Sequence, residues 1–167
     1  EDRRARLEPP PLLESLAIAV ERIADAEPEK ICRWGSTQAH VALAPVQRLI
    51  AHALAHNPKK TSAEALRFLL TDERRYFLGS VSDLSSTTLA LVKACAMRWT
   101  SEEIEQYVAR VREFAPARPP DMSSGKEIRT WNQVIRRTRI KLLSALPDAQ
   151  RSLDVQQELA EAARAAP

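Results

Sequence analysis

Residues 124–146 read SGKEIRTWNQVIRRTRIKLLSAL, and this stretch decides the fold class. Ser124 and Glu127 have the spacing of a capping box, in which each side chain satisfies a backbone N–H near the other. Trp131, Ile135, Thr138 and Leu142 then recur every three or four residues, the interval that stacks side chains on one helix face. Pro147 cannot continue the run. A long, capped, amphipathic segment of this kind is a helix.

Working outward, the same signals repeat. Upstream lies a proline-bearing connection, residues 115–124, and before it Thr100-x-x-Glu103, a second capping box opening a helix over 101–114. Residues 82–86 offer caps for a helix reaching about Met97. Thr61-x-x-Glu64 reads as a third capping box, opening a helix toward Leu78 with a break at Thr71-Asp72 and Gly79 as the stop. Pro45 opens a helix over 46–56, and the preceding residues 36–44 have helical spacing too. Pro28 starts a short helix ending at Gly35. Leu12, Leu16, Ala19/Val20 and Ile23 mark a first helix, preceded by a charged, proline-rich tail or linker at residues 1–11. Downstream, residues 148–165 form an alanine-rich helix with a thin stripe of Val155, Leu159, Ala162 and Ala166. The expectation is an all-α, compact bundle of seven or eight helices. Residues 12–167 form its single domain, with a candidate sub-boundary in the loop 115–124.

Composition agrees with a globular chain. Hydrophobic residues are 44% and charged residues 28% of 167, which excludes a disordered segment and suffices for a core without disulfide or metal. There are 3 glycines, and helix formers dominate. The net charge of +3 is too mild to imply nucleic acid globally, so only a local patch carries that inference. Neither a signal-like run nor a span of about 18 apolar residues is present, so a cytoplasmic chain with Cys32 and Cys95 reduced is expected. The chain opens at Glu1 rather than Met and is read as a piece of something longer.

Catalytic constellations fail one by one. His52 and His56 share a helix face at i, i+4, but Ala53 stands where H-E-x-x-H needs its glutamate, and no third ligand follows. Neither cysteine belongs to a C-x-x-C pair. Glu102, Glu103 and Glu105 suit the first turn of a helix, where the dipole favours negative charge. There is no D-x-D pair, phosphate loop or G-x-S-x-G elbow. No metal, cofactor or enzymatic activity is expected of these residues.

The decisive helix also carries the chemistry. Lys126, Arg129, Arg136, Arg137, Arg139 and Lys141 face one acid, Glu127, a local +5 against +3 for the whole chain. On a helical wheel Arg129, Asn132, Arg136 and Arg139 fan away from the apolar seam. Such a face suits phosphates, through guanidinium forks and counterion release. It equally fits a solvated face whose arginines pair with the acidic first turn of the helix over 101–114. Of the aromatics that stack bases in single-strand binders, Trp99 is the one placed for a surface position.

Residues 82–146 also resemble the small helical domain that follows the catalytic core in plasmid and phage primase-polymerases. The likeness rests on Asp83-Leu84-Ser85, Leu89-Ala90-Leu91-Val92, Trp99-Thr100-Ser101-Glu102-Glu103-Ile104 and Arg136-Arg137-Thr138-Arg139-Ile140-Lys141. It departs from that pattern at Leu84, where an arginine is common, and in the long 115–124 loop. The resemblance implies a non-catalytic domain that engages a single-stranded template in a replication or mobile-element protein. The contact residues expected are Arg129, Asn132, Arg136, Arg137, Arg139 and Lys141, with Arg98, Lys59 and Lys60 outside them. The alternative is a protein-interaction module whose exposed apolar groove takes a partner helix, or self-association through the C-terminal helix, both motivated by the thin C-terminal stripe.

Overall fold

Helix starts need partners for their first N–H groups, and the prolines of this chain fix several of those points. The computed structural model describes residues 11–38, 40–80 and 83–165. Among them are eight α-helices and no strand, so the chain has the all-α class its sequence calls for. In order they are α1 (Pro11–Ala26), α2 (Pro28–Thr37), α3 (Ala44–His56), α4 (Pro58–Thr71), α5 (Ser86–Cys95), α6 (Ser101–Glu113), α7 (Gly125–Ser144) and α8 (Leu153–Arg164). The 3-10 turns Glu73–Phe77, Ala96–Arg98 and Asp148–Gln150 follow α4, α5 and α7. Most of the expected N-terminal tail lies outside the described residues.

Packing centres on α3, which touches α1, α2, α4 and α5. α5 continues to α7, α6 lies on α4 and α7, and α8 lies on α7. One cluster of buried side chains runs from Ala24 to Val155, with Ile50, Leu54, Leu69, Leu91, Tyr107 and Leu142 fully enclosed. Each buried aliphatic or aromatic side chain of this size contributes about 1.5–3 kcal/mol. The seam expected on α7 is its inner edge, from half-buried Trp131 and Ile135 to buried Thr138 and Leu142.

Several local expectations are corrected. Of the three capping boxes, those at Thr100/Glu103 and Ser124/Glu127 are formed. Thr61/Glu64 is not, because Pro58 starts α4 a turn earlier. Thr61 Oγ1 instead donates to the carbonyls of Leu54 and Asn57, and Glu64 accepts from Ser36 Oγ at 2.9 Å. Gly35 does not stop α2. It is buried inside the helix, facing Ile50 of α3, whose Cγ2 would stand 3.4 Å from an added Cβ.

Residues 40–43 are not helical. Gln47 Nε2 donates to the carbonyls of Gln38 and Val41, at 3.1 and 2.7 Å, and holds this connection in a turn. The break at Thr71-Asp72 is real, but Gly79 is there for space. A Cβ would lie 2.0 Å from the Asp83 carbonyl, and no glycine has positive φ among the described residues. On α1, Leu16 and Ile23 are 39% and 40% exposed, while Ala24 is buried. The helix is turned so that Glu21 and Asp25 reach His52 and His56 of α3, at 2.7 and 3.1 Å. Finally, residues 148–152 precede α8 as a 3-10 turn and a short connection.

Candidate nucleic-acid interface

α7 is a 20-residue helix with only Thr138, Leu142 and Leu143 buried, all in its C-terminal half. The N-terminal half rests on the molecule through Trp131, whose ring centroid is 6.0 Å from that of Phe77. Its start is fixed by the Ser124/Glu127 box. The Ser124 N–H, donated to Glu127, holds that carboxyl below the usual carboxylate range. Glu127, the acid of this helix, is thereby engaged in capping.

Lys126, Arg129, Asn132, Gln133, Arg136 and Arg137 are exposed. No hydrogen bond or ion pair engages their side chains among the described residues. Pairing with the acidic first turn of α6 is not seen there. Glu103 accepts from the Thr100 N–H at 2.8 Å, and no ion pair joins Glu102, Glu103 or Glu105 to α7. Four cations and two amides therefore share one open helix face. Gln133 was not among the expected contact residues. Its place at i+4 from Arg129 and i−3 from Arg136 is the signal that puts it there.

Two of the expected contact residues are held in the fold's own bonds. Arg139, which the wheel placed on the outer face, is half-buried, and its guanidinium donates twice to the Phe114 carbonyl, from Nε at 2.8 Å. Phe114 caps the C-terminal end of α6 and packs edge-on to Tyr76 and Phe77, with ring centroids 5.1 Å away in each case. Arg139 thus satisfies a carbonyl that the end of a helix leaves without a partner. Lys141 Nζ is exposed but stands 3.1 Å from Asp83 Oδ2. The Ser85 N–H and then Lys141 keep the Asp83 carboxyl below its usual range.

Arg98, Lys59 and Lys60 are exposed but belong elsewhere. Trp99 Nε1 donates to the Ser62 carbonyl at 2.9 Å, which ties the α5–α6 turn to the start of α4. That sets the Ala96–Arg98 turn, at the C-terminal end of α5, against α4, whose first turn carries Lys59 and Lys60. α7 meets α5 at its other end, through the Lys141–Asp83 pair, and α5 is about 15 Å long. Trp99 itself is 4% exposed, so the aromatic expected at the surface is inside the core. Burial follows from its indole finding an acceptor while its ring packs on Tyr107.

The remaining candidates for chemistry have structural partners. His52 and His56 bridge α1 and α3 through carboxylates. No cluster of three or more His, Cys, Asp or Glu suited to a metal occurs among the described residues. Cys95 is buried, which pushes its thiol up to about 12, and Cys32 is half-buried; both are free. Arg75, which sequence reasoning passed over, is 1% exposed. It lies 4.0 Å above the Phe68 ring and donates to Gln47 Oε1 and the Phe68 carbonyl, tying the turn after α4 to α3.

A groove of about 630 Å³ separates α6 from the start of α8. Ile104 and Val108 form its apolar side, but Glu105, Arg112 and Asp154 line it as well. Arg112 pairs with Asp154 at 2.8 Å and Glu158 at 2.9 Å, closing α8 onto α6. This is a mixed groove rather than the apolar one a partner helix needs. No helix among the described residues is long and apolar enough to cross a membrane. Comparison with known proteins gives no match to a family model, to a curated protein or to a solved structure.

Proposed function

We propose that this chain is a helical domain that binds nucleic acid through the exposed face of α7 and contributes binding rather than chemistry. The observation that carries the reading is the state of Lys126, Arg129, Arg136 and Arg137: one helix face, exposed, and without acid partners among the described residues. Like charges gathered without compensation cost stability, and an external polyanion offsets that cost by releasing its counterions. The resemblance of residues 82–146 to a primase-polymerase accessory domain points the same way and suggests a replication or mobile-element protein. Its implication of a single-stranded template loses support at Trp99, because base stacking needs aromatics at the surface.

Charge reversal tests the reading. Arg136→Glu with Arg137→Glu removes two exposed cations that make no hydrogen bond or ion pair among the described residues, so circular dichroism and thermal unfolding stay as in the parent. Binding to labelled oligonucleotides at low salt should fall at least tenfold. Undiminished binding in that variant contradicts the assignment of α7.

A further inference from the structure

Neutral amides in the middle of the cationic face call for an explanation that phosphate binding does not supply. Asn132 and Gln133 lie between Arg129 and Arg136 in sequence and on the same face. At 100° per residue the four side chains fall within roughly 100° of arc. Arg129 and Arg136 are about 10 Å apart along the axis, which matches about three base-pair steps of 3.4 Å. All four are exposed, and none is engaged by another side chain among the described residues.

We infer that this row reads base edges in the major groove of duplex DNA, an inference that rests on the nucleic-acid reading of α7 and gives it a ligand class. The geometry is that of a reading helix. A helix of 10–12 Å overall diameter enters a major groove about 12 Å wide, with one face free of the parent fold. α7 supplies such a face along residues 126–137, where the exposed positions include Lys126, Arg129, Asn132, Gln133, Arg136 and Arg137.

The residue types fit the groove's donor and acceptor pattern. An Asn or Gln amide pairs with adenine N6 and N7 by two hydrogen bonds, and an Arg guanidinium pairs with guanine O6 and N7. Lys126 and Arg137, toward one side of the row, are placed for a phosphate strand. Single-strand binding asks for different surroundings, namely aromatic platforms among the cations. Here Trp131 faces Phe77 on the inner side of the helix, and Trp99 is buried.

Selection of the full chain on a randomised duplex library tests this, run in parallel with the parent and with the Asn132→Ala/Gln133→Ala pair. The parent should enrich a short motif with adenine and guanine on one strand. The double variant should lose at least tenfold in affinity for that motif, since each of the two bidentate contacts discriminates by roughly five- to a hundredfold. Its binding to scrambled duplex should keep the parent's salt slope, since no cation is removed. Duplex binding without an enriched motif, or tighter binding to the single strand of the same sequence, overturns base reading and leaves α7 as a phosphate-binding face. Binding to neither form overturns both readings.

Discussion

Arg136 and Arg139 differ by less than one helical turn, yet they have opposite fates. On the wheel Arg139 lies about 40° from Ile135 and about 60° from Arg136, so spacing alone leaves it on the border of the two faces. What decides is a neighbour from another helix, the Phe114 carbonyl at the end of α6, to which it donates. A charged donor on a half-buried carbonyl is worth more than a solvated one. Arg139→Ala should therefore destabilise the fold by about 1–2 kcal/mol in urea denaturation, with nucleic-acid affinity changing little. Arg136→Ala should do the reverse. If Arg139→Ala weakens binding as much as Arg136→Ala at unchanged stability, the division of the two arginines is wrong.

At the scale of elements, starts that carry their own chemistry are legible. Thr100/Glu103 and Ser124/Glu127 are sequence-local devices, and both operate as their spacing requires. The third pair, Thr61/Glu64, has the same letters but follows Pro58, which pre-sets the first helical φ and takes the start for itself. The facing of α1 is less legible, since Leu16 and Ile23 have ordinary core spacing, whereas the pairs Glu21–His52 and Asp25–His56 depend on α3. The attachment of α8 is also tertiary. Ser152, and after it Arg112 across the groove, hold the Asp154 carboxyl down at about 2, from an ordinary 3.8. A depressed carboxylate stabilises the fold fully above its unfolded value, and the contribution is lost as pH falls from 3.8 to about 2. Asp154→Asn should flatten that part of the acid limb in a chemical-denaturation series against pH. An acid limb identical in parent and variant would remove Asp154 from the account.

The molecule as a whole is a bundle whose charge is unevenly placed. A net +3 hides a helix of local +5, and the fold decides which of those charges remain available. The all-α class and the cationic helix can both be read in residues 124–146, because capping and amphipathic spacing act within one segment. The extent of the face cannot be read there. It depends on Lys141 meeting Asp83, on Arg139 meeting Phe114, and on Trp99 folding inward to Ser62. Lys59 and Lys60 lie in the first turn of α4 and Arg98 in the turn after α5, on elements other than α7.

Four free cations on α7 give the central claim a number, because each neutralised phosphate contributes about 0.9 to the salt slope on duplex and about 0.7 on single strands. The most direct measurement is the logarithm of the association constant against the logarithm of salt concentration on mixed-sequence DNA, where all four cations are left to face phosphates, for the parent and for Arg129→Ala/Arg136→Ala/Arg137→Ala. The parent slope should be about −3 to −4, and the triple variant should retain a slope of about −1, with Lys126 remaining. A slope that is the same in both proteins, or binding that ignores salt altogether, would contradict the assignment of α7 as the nucleic-acid-binding element.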